Sequence, residues 1–132
     1  MATVNLANDG VQIDTGKDNV VIRKVIATIP GGKALDVTGF VPEVINAGHP
    51  IIFEAATKEY KPMPVNAGQT AYAALPANHT YAGVLIASIL TKKPSAAIMT
   101  VGIMNPEAAP YDFPNISAAI KTAKPLIDQQ AD

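Results

Sequence analysis

The chain has no cysteine and no tryptophan. The first absence excludes disulfide frameworks, thiolate zinc sites and cysteine nucleophiles. Aromatic residues are 5% of the total, and charged residues 16%, where about 25% is usual. Charge of either sign is also missing as an excess, because Lys+Arg 10 against Asp+Glu 11 leaves a formal net charge of −1. Nucleic-acid affinity comes largely from neutralised phosphates, so that balance argues against nucleic acid as a partner. Long hydrophobic runs are missing too. The longest, Tyr81–Leu90, is broken by Gly83 and Ser88 and falls short of the about 20 residues that a helical membrane span needs, so no membrane partner is expected. The start, Met1-Ala2-Thr3-Val4-Asn5, lacks the basic-then-apolar order of a secretory signal.

What the chain does have is apolar surface. Over 132 residues, hydrophobic side chains make up 48%, and the mean hydropathy is positive at +0.19. That length fits one domain with its own core. A small soluble monomer normally spreads more charge over its exterior. The expectation is therefore that much of this exterior lies against other protein.

Residues 1–19 hold few large apolar side chains, namely Val4, Leu6, Val11 and Ile13, set among Asn, Asp, Gly and Thr. They read as an extended N-terminal arm, in which Val11-Gln12-Ile13 alternates and could add to a partner's sheet. Residues 20–132 read as a single β-rich domain. Val20–Ile29 is rich in β-branched residues and predicts a strand. Pro30-Gly31-Gly32-Lys33 predicts a turn, and Leu35–Phe40 the strand returning from it. Val44-Ile45, Ile51-Ile52-Phe53 and the proline-held Tyr60–Val65 predict further extended pieces. Gln69–Leu75 is open between a strand and a helical turn. Tyr81–Leu90, apolar on both faces, suits a central strand, and Ala96–Met104 another. Asn105–Pro114 is irregular. A short helix through Ala118, Ala119, Ile120 and Ala123, capped by Asn115 or Ser117, ends near Pro125. Leu126-Ile127 could rejoin the sheet, and the polar Asp128–Asp132 reads as loose. The fold class is mainly β: a small mixed barrel or sandwich with one short C-terminal helix and an extended N-terminal arm.

The residues of catalysis are sparse. His49 and His79 both sit in predicted loops, where function often lies. Ser88, Ser95 and Ser117 are the only serines, and none sits in a G-x-S-x-G elbow. There is no H-E-x-x-H and no calcium-loop pattern; Asp14 and Asp18 are the closest regular acidic pair. Gly10–Lys17 has five residues between its glycines, and Asp18 stands where a phosphate loop needs Ser or Thr. Glu54 and Glu59 flank a turn and could face one another across a hairpin, but a glycosidase also needs sugar-stacking aromatics. The expectation is no catalytic residue, no cofactor and no metal. Two lesser readings stand beside it. One is a glycan-binding module using Tyr60, Tyr72, Tyr81 and Tyr111; the other is a small hydrolase using His49 or His79.

One ordered set of strands resembles a known family. Val44-Ile45-Asn46-Ala47-Gly48-His49-Pro50-Ile51-Ile52 is followed by Lys58-Glu59-Tyr60-Lys61-Pro62, then Tyr81-Ala82-Gly83-Val84-Leu85, then Ala97-Ile98-Met99-Thr100-Val101-Gly102-Ile103. With the short helix and its proline, Ser117–Ile127, the pattern over residues 40–127 is similar to tailed-phage head decoration and head-fibre proteins, including the lambda type. The resemblance implies a compact mixed-β domain that forms a homotrimer on the capsid exterior of a virion after synthesis in the host cytoplasm. It implies no enzymatic activity. The implied partners are the major capsid protein and, for a fibre base, another head-fibre protein. It makes Val4, Leu6, Val11 and Ile13 the capsid-binding anchors of the arm, and the His49-Pro50 and Pro76–His79 loops candidates for the trimer or capsid face. The predicted hairpin in residues 15–40 departs from the lambda type.

Overall fold

The structure is a computed structural model, and it describes residues 15–16, 18–111 and 113–130. The anchors Val4, Leu6, Val11 and Ile13 therefore lie outside the described residues.

A single helical turn, α1 (Asp18–Val21), runs into strand β1 (Ile22–Thr28). The strand expected from Val20 thus begins two residues later. The short strands β2 (Lys33–Ala34) and β3 (Val44–Ile45) follow, then β4 (Pro50–Glu54) and β5 (Glu59–Pro62). The long β6 (His79–Leu85) precedes two more short pieces, β7 (Ile89–Leu90) and β8 (Ser95–Ala96). The chain closes with β9 (Ile98–Met104), a 3-10 turn at Pro106–Ala108, helix α2 (Pro114–Ala123) and β10 (Ile127–Gln129).

The main sheet runs β1-β9-β6-β4-β5, with β10 parallel to β9 beyond the reach of β6. Two small sheets, β2 with β8 and β3 with β7, lie apart from it. The sheets do not close into a barrel, so of the two expected forms the small sandwich-like one is observed.

The central strands are apolar on both faces because both faces are covered. Neighbouring residues go to opposite sides, as strand geometry requires. Ile52, Val84 and Met99 enter one cluster with Met63, Phe113, Ile116 and Ile120; Ile51, Leu85 and Ile98 enter the other with Leu35, Ile45 and Ala96. Helix α2 covers the first side. Pro114 opens it at the first helical position, where its fixed φ is already suitable. Ile116 and Ile120, four apart, face the sheet. Pro125 forbids helical geometry at Lys124, which stops the helix and releases the chain into β10.

Four expectations from sequence are corrected here. Leu35–Phe40 is not a strand returning against β1. Leu35 makes one isolated bridge to Tyr60, Asp36 turns the chain by accepting from Thr38, and β1 pairs with the distant β9 instead. The run Tyr81–Leu90 is two strands, broken at residues 86–88, because Ser88 turns away to bond Asp18. Helix α2 starts after Phe113 with no side-chain cap; Asn115 lies inside it, and Ser117 reaches Gln129 instead. Asp128 and Gln129 are ladder residues rather than a loose tail.

Glycine explains two crowded points. At Gly83 an added Cβ would run into the Met99 carbonyl oxygen and the Ile98 side chain, where β6 passes close to β9. Gly48 has φ +88, and a Cβ there would strike Val21. Both belong to the strand patterns that carried the family resemblance.

Candidate functional site: a cleft beside a buried histidine

A cleft of ≈ 400 Å³ opens between the 36–41 loop and the segment that follows β5. Its apolar wall includes Phe40, Val41, Pro62 and Pro64; its polar groups include Asp36, Lys61, Gln69 and His79. Strands β4, β5 and β6 position the charged end. Glu54 and Glu59 are direct cross-strand partners, as the hairpin reading expected, and Glu54 also pairs with His79 on β6.

Glu54 organises this end. Its Oε2 accepts from Lys61 Nζ at 2.7 Å and from Thr57 at 3.0 Å, with His79 Nε2 3.8 Å away. The Lys61 and Thr57 hydrogen bonds hold the Glu54 carboxyl below the usual carboxylate range, and the same carboxylate raises Lys61. Asp36 is likewise lowered, chiefly because it accepts from both the hydroxyl and the amide of Thr38. His79 Nδ1 donates to the Ala77 carbonyl at 2.7 Å. Gln69, on the opposite rim, is held at φ +55, a left-handed conformation that a residue with a Cβ adopts rarely.

Behind the wall lies His49. Its Nε2 donates to the Met63 carbonyl at 2.8 Å, which leaves Nδ1 as the unprotonated nitrogen. Among the described residues Nδ1 has no hydrogen-bond partner, and neither does the buried Tyr72 hydroxyl. Three rings meet the imidazole near right angles: Phe40, Tyr72 and Tyr111, with centroids 5.5, 5.2 and 5.9 Å away. Burial drives the His49 pKa down to about 4 and pushes the Tyr72 phenol well up. Phe40 therefore joins the two features, touching His49 and lining the cleft.

Several sequence-predicted residues fall elsewhere than expected. His49 and Pro50 are buried inside the chain, so their side chains offer no surface to a partner. The four tyrosines do not form one platform. Tyr72 and Tyr111 pack on each other at 5.3 Å in the His49 cluster. Tyr60 stacks on Phe53 beside a shallow groove of ≈ 260 Å³, and Tyr81 on that groove is 7% exposed. Of the three serines, Ser88 is held by Asp18 and Ser117 by Gln129, so neither is oriented by a histidine. Asp36, Phe40, Lys61 and Gln69 were not singled out as site residues from sequence. The cleft assembles them from separate loops and strands, and no spacing announces it.

Comparison with family models, with curated proteins and with solved structures finds no match to this chain.

Proposed function

We propose that the chain is a virion structural protein that binds the outside of a phage capsid as a homotrimer. There it stabilises the head or forms the base of a head fibre. The observation that carries this reading is the edge of the main sheet. Strand β1 is paired on one side only among the described residues, and it is exposed at every position after Ile22. Val25 and Ile26 on this strand are 41% and 62% exposed. An edge strand with exposed large apolar side chains favours burial against another chain. The low overall charge points the same way, since desolvating few charges costs little.

The edge is also guarded. Three register irregularities interrupt its pairing with β9, and Arg23 and Lys24 place cations along it. Such features discourage unlimited strand addition, so the reading is a closed assembly rather than a filament. Standard interfaces bury about 1,600 Å² in total. Repetition around a three-fold axis multiplies modest contacts into firm attachment. The strand order quoted for the family resemblance falls on β3–β4, β5, β6 and β9, which are successive parts of this domain.

Two measurements test the proposal together. Mass in solution is expected near three times 13.7 kDa. In images of intact particles the chain is expected outside the shell at three-fold positions, with residues 1–14 protected from protease only when bound. A single subunit at all concentrations, with no retention on capsids, would overturn it.

A further inference from the structure

We propose that the cleft beside Phe40 binds a neutral saccharide ring. This goes beyond the capsid reading and does not depend on it. The volume, ≈ 400 Å³, lies in the range of small-ligand sites, which run from about 300 to 1,000 Å³. Asp36 and Lys61 in its lining are held by Thr38 and Glu54, so these two groups need little reorganisation on binding.

The chemistry of the lining selects the ligand. Asp36 and Lys61 both line the cleft, and the Lys61 ammonium is already paired with Glu54. An anion would meet Asp36 and a lysine already neutralised by Glu54; a cation would meet the Lys61 ammonium. A ligand without charge meets neither penalty. Each polar group also keeps unused hydrogen-bonding capacity. Thr38 donates twice to Asp36 Oδ1, and a carboxylate can accept more hydrogen bonds than these two. Lys61 spends one of its three N–H donors on Glu54. Gln69 also lines the cleft, and its side-chain amide carries both a donor and an acceptor. A hydroxyl both donates and accepts, so a ring bearing several of them matches this mixed set. The Phe40 ring and the flanking prolines then supply an apolar wall for the C–H face of the sugar.

A peptide fits less well. An extended peptide gains affinity by adding main-chain hydrogen bonds to a free strand edge. The outer side of β5 is already engaged, because Asp36 N donates to the Tyr60 carbonyl and Leu35 bridges the same residue. Asp36, Lys61 and His79 bring side-chain polar groups to the cleft, which suit discrete hydroxyls better than a regular backbone.

The experiment is a titration of the full chain with methyl glycosides of glucose, galactose, mannose and N-acetylglucosamine, and with maltose, followed by NMR. Inorganic phosphate and a proline-rich decapeptide serve as comparators. At least one saccharide is expected to shift the resonances of Phe40, Lys61 and Gln69. Gln69→Ala and Asp36→Asn, both at exposed or half-exposed positions, are expected to weaken that binding roughly tenfold or more while the chain stays folded, as the loss of a single hydrogen bond to a charged or amide group implies. Ile26→Lys, on the far edge of the sheet, is expected to leave it unchanged. The proposal is overturned if no saccharide in the panel shifts cleft resonances, if binding survives both cleft variants, or if phosphate or the peptide binds more tightly than every sugar. None of these readouts uses oligomer mass or capsid attachment, so its failure is distinct from failure of the capsid reading.

Discussion

The Asp18 carboxylate holds Ser88 twice, accepting the Ser88 amide at 2.9 Å and its hydroxyl at 2.7 Å across 70 residues of chain. The Ser88 oxygen in turn accepts from the Ala47 amide at 3.0 Å. One small network thus ties the start of α1 to the break between β6 and β7 and to the turn before β4. Hydrogen bonds to an ionised acceptor are shorter and stronger than neutral ones. Asp18→Ala is expected to cost about 1–3 kcal/mol of stability, read as a lower urea midpoint at unchanged slope. A midpoint equal to that of the unaltered chain would show that the network is incidental.

His49 makes stability depend on pH with a definite sign. Its folded pKa of about 4 lies below the ordinary value of 6.5, so between those pH values the unfolded chain binds more protons than the folded one. Stability contributed by the neutral ring is complete above pH 6.5 and is lost as pH falls toward 4. The shift corresponds to roughly 3 kcal/mol at most. His49→Gln keeps a donor for the Met63 carbonyl and cannot titrate. Its stability is expected to vary much less between pH 6.5 and 4.5, a window mostly above the carboxylates lowered at Asp36 and Glu54. Equal slopes for the two proteins would show that the imidazole is not confined as described.

The parts of this fold that were legible in the sequence are those decided by side-chain pattern. Val84-Leu85 and Ile98-Met99 announced strands buried on both faces, and Pro125 announced the end of a helix. What escaped was decided by single polar contacts between distant residues. The Tyr81–Leu90 run looks continuous because Ile86 and Ala87 are apolar, and only the Asp18 bond to Ser88 shows why the strand stops. Leu35–Phe40 alternates like a strand, but Asp36 bonds Thr38 locally and sends the chain around the cleft. His49 between glycine and proline has the composition of a loop; that it is buried depends on Phe40, Tyr72 and Tyr111, three rings brought from elsewhere.

Gly83 offers a test of the central packing. A methyl group there would meet backbone on β9, which cannot rotate away as a flexible side chain could. Gly83→Ala is expected to cost about 3 kcal/mol or more, at the upper end for overpacking. Loss of soluble protein or a large fall in melting temperature is the expected outcome, whereas Gly31→Ala, where a Cβ would meet nothing within 4 Å, pays only for its φ of +78. If Gly83→Ala melts like the unaltered chain, β6 and β9 do not approach as closely as described.

The edge strand separates folding from assembly. Ile26 is 62% exposed, so changing it disturbs little inside the subunit. Surface substitutions of this kind stay within about 0.5 kcal/mol. At a desolvated contact the same change is costly, because a lysine placed there must either lose its hydration or hold the two chains apart. If the chain assembles through β1 as proposed, Ile26→Lys keeps its melting temperature under conditions where the subunit is separate, and sediments as smaller species at concentrations where the unaltered chain sediments as the proposed trimer. Leu126→Lys, at a residue 66% exposed and off this strand, supplies the comparison. If Ile26→Lys assembles as well as Leu126→Lys does, the subunits meet through another surface and β1 is free for a different partner.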